Sequence, residues 1–100
     1  MSSEGESLLQ RLLSSEVKTD LLTLFHRNPG LVDTASGVGL RIGRTGSEVA
    51  GDIGDFVDLG LLTKRTLGKG SVEVVQLNRL RDREIQASLE RHFGALKREK

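Results

Sequence analysis

The chain has 100 residues, of which 36% are hydrophobic and 29% are charged, and this fits a single domain over residues 1–100 rather than a multidomain enzyme or a disordered tail. It has no cysteine and only two histidines, which excludes a disulfide scaffold, a thiolate-held zinc site and a histidine cluster, so we expect no cofactor and no metal. The formal net charge of +1 predicts neither nucleic-acid binding nor its absence.

Two helices are predicted in the first thirty residues. Residues 7–14 carry four leucines at the spacing that gives a helix one apolar stripe, and these are Leu8, Leu9, Leu12 and Leu13. Ser15 then precedes a second stripe that runs from Val17 to Phe25, before Asn28 and Pro29 forbid continuation. We therefore predict the second helix over residues 16–27.

A short helix, a turn and a longer helix follow. Val38 and Ile42 lie one helical turn apart within residues 37–43, which suits a short helix with one inward edge that stops at Gly43. Residues 44–47 are polar or small and predict the turn.

The longer helix is predicted to begin with a cap at Thr45 or Ser47 and to end at Gly60. Its apolar face consists of Val49, Ile53, Phe56 and Val57. Gly51 and Gly54 each cost about 1 kcal/mol relative to alanine inside a helix. A close approach of another backbone is one explanation for their presence.

The apolar period changes from helical to strand-like at residue 61. Residues 61–66 and 72–77 are rich in branched side chains and bracket a glycine-containing turn, which predicts a β-hairpin. The last segment, residues 79–100, has Asp82 as its predicted cap and one narrow apolar seam, formed by Ile85, Leu89, Phe93 and Leu96. The predicted fold class is mainly α with a small β-hairpin.

The order helix, short helix, turn, helix, hairpin resembles the winged helix-turn-helix DNA-binding domain of prokaryotic transcriptional regulators. The resemblance is carried by the paired apolar residues Val38 and Ile42, by the Arg-Thr-Gly-Ser turn at residues 44–47 and by the Leu-Gly-Leu-Leu closure at residues 59–62. It covers residues 15–78 as a winged helix core, with added helices at the N and C termini.

This resemblance implies a DNA-binding transcriptional regulator whose longer helix docks in the major groove and whose hairpin lies along the neighbouring backbone. Backbone contacts to double-stranded DNA are expected from Arg41, Arg44, Thr45, Ser47, Lys64, Arg65 and Lys69. Glu48 is the charged candidate for a base contact, because a carboxylate accepts from the cytosine amino group. Five cationic contacts would give a logarithmic salt slope of about −4.

The longer helix departs from the family pattern in its charge. It carries four carboxylates and no basic residue between Thr45 and Leu62, and these are Glu48, Asp52, Asp55 and Asp58. Carboxylates near phosphates are repelled. The alternative is therefore a winged helix module that docks through this acidic helix onto a basic protein partner without binding DNA.

Three further expectations follow from the sequence. No serine is paired with a histidine and an acid, and neither glycine-rich turn has phosphate-loop spacing, so we expect no enzymatic activity. No apolar run approaches the roughly 20 residues of a membrane span, and no signal peptide is present, so we expect a cytoplasmic chain without a membrane partner.

The apolar seam of the C-terminal helix needs a partner surface. That surface is either the leucine stripe of the first helix in the same chain or the equivalent elements of a second chain. We favour a homodimer through Leu8, Leu12, Ile85, Leu89, Phe93 and Leu96.

Overall fold

The computed structural model describes the backbone of residues 3–69 and 72–98, and the side chains of residues 8–69 and 72–91. In this part of the chain the elements are α1 (Ser3–Leu12), α2 (Glu16–Arg27), β1 (Val32–Asp33), α3 (Ala35–Arg41), α4 (Gly46–Asp58), β2 (Leu62–Leu67), β3 (Val72–Leu77) and α5 (Arg79–Arg98). The predicted fold class, mainly helical with a small antiparallel sheet, is confirmed, and the element order is compatible with a winged helix fold.

Helix α2 has the predicted bounds because both of its ends are capped locally. The Ser15 hydroxyl accepts a hydrogen bond of 3.1 Å from the backbone N–H of Lys18. At the other end, the backbone N–H and the side-chain amide of Asn28 both donate to the carbonyl oxygen of Leu24 at 3.0 Å. These bonds satisfy helix-end groups that would otherwise lack partners.

Helix α3 begins two residues earlier than predicted. The Thr34 hydroxyl accepts a hydrogen bond of 3.0 Å from the backbone N–H of Gly37, so Ala35 is the first helical residue. The helix ends as expected before Gly43, which has a φ of 73°. An L-amino acid with a side chain rarely adopts this φ, so glycine at this position allows the turn towards α4.

Helices α3 and α4 approach each other at two glycines, Gly39 and Gly46. A Cβ atom at Gly39 would lie 2.8 Å from the carbonyl oxygen of Arg44. A Cβ atom at Gly46 would lie 2.7 Å from the hydroxyl of Ser36 and 3.1 Å from its Cα atom. The absence of side chains at both positions therefore allows the two helices to pack closely.

A close approach of another backbone, one of the explanations offered for Gly51 and Gly54, does not apply in the described residues, and the cost of both glycines is tolerated. A Cβ atom built at either position meets nothing within 4 Å. Gly51 is exposed and Gly54 is half-buried, and a side chain at either position would point into open space. Their helix-propensity cost is therefore not offset by packing within the described chain.

The predicted hairpin is present as β2 and β3, which pair antiparallel from Leu62 opposite Leu77 to Leu67 opposite Val72. A third strand, β1, pairs with the outer side of β3, so the sheet order is β1-β3-β2. The sequence did not predict β1, because two residues are too short to show an alternating pattern.

The core lies where α2, α3, α4, the hairpin and α5 meet. Its most buried side chains are Leu21, Phe25, Val38, Val49, Phe56 and Leu61. Each of them belongs to an apolar position that the sequence placed on an inward helix face or at the start of the hairpin. The predicted faces of α2 and α4 are thus packed against each other and the sheet.

Helix α5 starts at Arg79, before the predicted cap at Asp82. The side-chain oxygen of Asn78 accepts a hydrogen bond of 3.1 Å from the backbone N–H of Arg81 and so occupies the capping position. Asp82 instead accepts a hydrogen bond of 2.8 Å from Gln86 and shares a contact of the same length with His26 on α2. The prediction of Asp82 as the cap is therefore wrong.

Candidate nucleic-acid interface

The first turn of α4 is held by a reciprocal pair of hydrogen bonds between Thr45 and Glu48. The Thr45 hydroxyl accepts from the backbone N–H of Glu48 at 3.2 Å, and the Glu48 carboxylate accepts from the backbone N–H of Thr45 at 3.1 Å. The bond from the Thr45 backbone lowers the pKa of Glu48. Glu48 is thus engaged in capping, and the base contact predicted for it would compete with this role.

Part of the exposed surface of α4 consists of small, uncharged residues, beside the exposed carboxylates Glu48, Asp55 and Asp58. Ser47, Ala50 and Gly51 are exposed, and Gly54 is half-buried. They follow one another at intervals of three, one and three residues, which places them on one helix face. The Ser47 hydroxyl lies 3.1 Å from the Thr45 hydroxyl. We call Ser47, Ala50, Gly51 and Gly54 the small-residue stripe.

Two of the four carboxylates of α4 are directed at α2, where they contact Lys18. The Lys18 ammonium lies 2.8 Å from a carboxylate oxygen of Asp55 and 3.2 Å from one of Asp52. It also donates to the hydroxyl of Ser14 at 3.1 Å. The Ser15 hydroxyl in turn donates to Asp52 at 3.2 Å. Asp52 and Asp55 therefore connect α4 to α2.

Lys18 is a buried residue, with 7% of its surface exposed. The hydrogen bond to Asp55 raises the pKa of Lys18, and the contacts to Asp52 act in the same direction while burial opposes them. The lysine therefore stays charged and neutralises part of the acidic helix. The acidic charge of α4 on which the protein-docking alternative depends is therefore reduced at these two residues.

Arg44, in the turn before α4, is also bound to α2. Its guanidinium lies 3.3 Å from Asp20 and 3.9 Å from Glu16, and its side chain is 26% exposed. Its Nε atom is buried and has no hydrogen-bond partner among the described residues. A phosphate contact by Arg44 would require this guanidinium to leave Asp20.

Two other predicted cations form ion pairs that are more exposed than that of Arg44. Arg41 lies 3.3 Å from Asp33, and Lys64 lies 4.0 Å from Glu73 across the hairpin. Both cations are exposed. Surface ion pairs of this kind contribute about 0–1 kcal/mol, so they are readily exchanged for another anion.

Arg65 and Lys69 remain as cations on the hairpin. Both are exposed, and neither has an ion-pair partner within residues 8–69 and 72–91. Arg65 lies on β2 opposite Val74, while Lys69 follows the turn residue Gly68, which has a φ of 69°. These two are the most accessible of the predicted backbone contacts.

The residues predicted to form a dimer interface contribute to packing within one chain where they are described. Leu12 and Ile85 are buried in the core, and Leu8 and Leu89 are partly buried against it. The side chains of Phe93 and Leu96 lie outside the described residues. Of the two partner surfaces considered, the intrachain contact between α1 and α5 is therefore present.

Lys18 is the residue that sequence reasoning missed. A signal for it exists, because Lys18 lies three residues before Leu21 and seven before Phe25, within the buried stripe of α2. A lysine in such a stripe needs an acidic partner. The aspartates at positions 52 and 55 are one helical turn apart and could have been paired with it.

Neither a family model nor a curated protein matches this chain. Among solved structures, a protein from Methanosarcina mazei Go1 named as a possible transcriptional regulator is similar to it, with a TM-score of 0.58 and 14% sequence identity. The similarity covers 94% of this chain and 83% of that protein. The two proteins share a fold.

The described residues contain neither a membrane-spanning helix nor a cluster of metal-ligating side chains. No helix there has both the length and the apolar character that a membrane crossing needs. Among the described residues, no group of three His, Cys, Asp or Glu side chains lies close enough together to hold a metal ion.

Proposed function

We propose that this chain is a winged helix protein that binds double-stranded DNA and regulates transcription. The fold shared with the Methanosarcina mazei protein supports this proposal, as does the order of α3, α4 and the hairpin. The observation that carries it is the charge distribution on α4. Asp52 and Asp55 contact Lys18 and Glu48 caps the helix, so three of the four carboxylates of α4 have partners within the chain. The fourth, Asp58, is exposed and follows Gly54 by four residues, at the C-terminal end of the small-residue stripe.

In the proposed complex, the small-residue stripe enters the major groove. Small side chains let the helix backbone come close to the base edges, and the Ser47 hydroxyl is the polar group available to them. Few base-specific hydrogen bonds are then possible. Most of the affinity would come from phosphates, which makes it strongly salt-dependent.

The phosphate contacts are assigned in order of accessibility. Arg65 and Lys69 are exposed and come first, followed by Arg41 and Lys64, whose acidic neighbours are also on the surface. Arg44 is bound to Asp20, so its main role in this proposal is to orient the turn before α4.

The alternative of a module that docks onto a basic protein through an acidic α4 has less support. It depended on four unpaired carboxylates. Two of these contact Lys18, which compensates one of their two negative charges, and a third accepts a hydrogen bond at the helix cap. Asp58 is the one exposed carboxylate of α4 for which no ion pair or hydrogen bond is found among the described residues.

The proposal is tested by the anisotropy of a fluorescent duplex DNA of mixed sequence, titrated with the chain at several salt concentrations. Arg65→Gln combined with Lys69→Gln should weaken binding and reduce the magnitude of the logarithmic salt slope by about 2, because each lost phosphate contact removes about one. The matched control is Arg79→Gln with Arg83→Gln, which removes the same charge from the first turns of α5.

A second variant tests whether α4 is the docking element. Ala50→Glu places a charged side chain in the small-residue stripe and should abolish binding, whereas Thr19→Glu adds the same charge on the exposed side of α2. Both positions are exposed, so the fold is expected to tolerate either change. Equal losses for the two variants, or no binding of wild type at low salt, would overturn the proposal.

A further inference from the structure

A cleft of about 450 Å³ lies between α1, the end of α4 and α5. Small-molecule sites in proteins have volumes of roughly 300–1,000 Å³, so the cleft is large enough for a ligand. Its polar lining includes Arg11, Arg81, Arg91 and Ser88, and its apolar lining includes Leu59 and Ile85. This combination of arginines and apolar side chains is not used by the proposed DNA interface.

The lining residues of α5 share one helix face. Arg81, Ile85, Ser88 and Arg91 follow one another at intervals of four, three and three residues, which keeps them on the side that faces α1. Arg11 belongs to α1 and lines the cleft from the other helix. A ligand in the cleft would thus contact arginines from two elements.

The arginines differ in how far their charges are already engaged. Arg81 donates from Nε to the carbonyl oxygen of Leu59 at 3.1 Å, and its guanidinium lies 4.0 Å from Glu84. Arg11 and Arg91 are exposed and have no ion-pair partner within residues 8–69 and 72–91. Three arginines against one glutamate leave the lining with an excess of two positive charges.

We propose that this cleft binds a small organic anion that carries an apolar group, such as an aromatic carboxylate. The planar guanidinium groups of Arg11 and Arg91 suit a carboxylate, because each can form two parallel hydrogen bonds to it. Leu59 and Ile85 provide the surface for the apolar part. The excess positive charge selects against a neutral molecule of the same shape.

The cleft is separate from the DNA interface proposed above. It lies at the C-terminal end of α4, whereas the capped turn at Thr45 lies at the N-terminal end. Thirteen helical residues at 1.5 Å each place these ends about 20 Å apart. Ligand binding in the cleft therefore does not depend on whether the chain binds DNA.

The probe for this site is naphthoate, and naphthylmethanol serves as its neutral analogue. The titration follows the backbone amide resonances of the isotope-labelled chain. Naphthoate should shift resonances of residues that line the cleft, saturably and with one midpoint, while naphthylmethanol should bind at least about tenfold more weakly, as expected for a charge-assisted contact.

The variant Arg11→Gln with Arg91→Gln should lose at least about tenfold in naphthoate affinity. The control Arg79→Gln with Arg83→Gln removes the same charge outside the cleft and should bind as wild type does. The same spectra report whether each variant is folded. Equal affinity for the two probes, unchanged affinity of the Arg11 and Arg91 variant, or the absence of a saturable shift would each overturn the proposal.

Discussion

Glu48 stabilises the start of α4 through its charged form. Its carboxylate accepts a hydrogen bond from the backbone of Thr45, and this bond lowers its pKa below the ordinary value of 4.5. A group with a lowered pKa stabilises the folded state fully above its unfolded value, and this contribution is lost as the pH falls through the folded value. The contribution of Glu48 should therefore disappear in acid.

The variant Glu48→Gln tests whether the charged form of Glu48 stabilises the folded state. Glutamine also fits the capping box but carries no charge, so the variant should be less stable than wild type at neutral pH. The difference should shrink as the pH falls below 4.5. Chemical unfolding followed by circular dichroism at several pH values measures it, and a difference that stays constant in acid would contradict the assignment.

For the N-cap of α4, the sequence predicted only two candidate residues. It offered Thr45 and Ser47 as alternatives because both have a hydroxyl near the start of the apolar stripe. The three-residue spacing from Thr45 to Glu48 is the capping-box pattern and favours Thr45. The engagement of Arg44 with Asp20 could not be predicted in this way, because it depends on how two distant segments pack.

At the scale of elements, Lys18 links α2 to α4 through Asp52 and Asp55. Removing the ammonium leaves two carboxylates without their partner, so Lys18→Met should lower the free energy of unfolding. Asp55 is 59% exposed, and solvent screening keeps its share of the interaction small. A double-mutant cycle of Lys18→Met with Asp55→Asn should give a coupling of about 0.5–1 kcal/mol.

A second pair of residues that do not contact each other serves as the control for this double-mutant cycle. Arg27 and Asp58 are exposed and do not contact each other in the described structure, so Arg27→Met with Asp58→Asn should show no coupling. Chemical unfolding of all variants gives both values. A coupling indistinguishable between the two pairs would mean that Lys18 does not hold α4 in solution.

Alanine substitutions at Gly39 of α3 and Gly51 of α4 should change the stability of the fold in opposite directions. Gly39→Ala introduces a Cβ atom 2.8 Å from the carbonyl oxygen of Arg44 and should destabilise by about 1–3 kcal/mol. Gly51→Ala introduces one into open space within a helix and should stabilise by about 0.5–1 kcal/mol. Thermal and chemical unfolding measure both changes, and destabilisation by Gly51→Ala would show that its surroundings are not open.

The bounds of most elements could be predicted because caps and stops are local in sequence. Ser15, Asn28 and Gly43 each lie next to the helix end that they define. The pairing of β1 with β3 could not be predicted, because it brings Val32 next to Gln76 across more than forty residues and depends on the finished fold. The same reason explains why the role of Lys18 was missed.

At the scale of the whole molecule, the chain measures 54 × 24 × 21 Å, and α5 is the longest of the described elements. Its first half packs on the core through Ile85, and α1 lies against it. The apolar seam continues in the sequence to Phe93 and Leu96. We propose that this continuation joins two copies of the chain.

Analytical ultracentrifugation tests the oligomeric state. The wild-type chain should sediment as a dimer at tens of micromolar, and Phe93→Glu should convert it to a monomer because a carboxylate is costly in an apolar interface. Glu90→Gln on the exposed side of the same helix should leave the dimer intact. A monomeric wild type at that concentration would remove the dimer proposal.

The short strand β1 limits which part of the hairpin can bend. It fastens Val75 and Gln76 to the segment before α3, and Asp33 of the same strand also holds Arg41 at the far end of that helix. The two residue pairs of β1 and β3 therefore join the base of the hairpin to the segment that leads into α3. We expect bending of the hairpin in the pairs of β2 and β3 beyond Lys64 and Val75, where β1 no longer supports β3. Exchange of backbone amide hydrogens should therefore be slow at the base of the hairpin and fast towards Lys69.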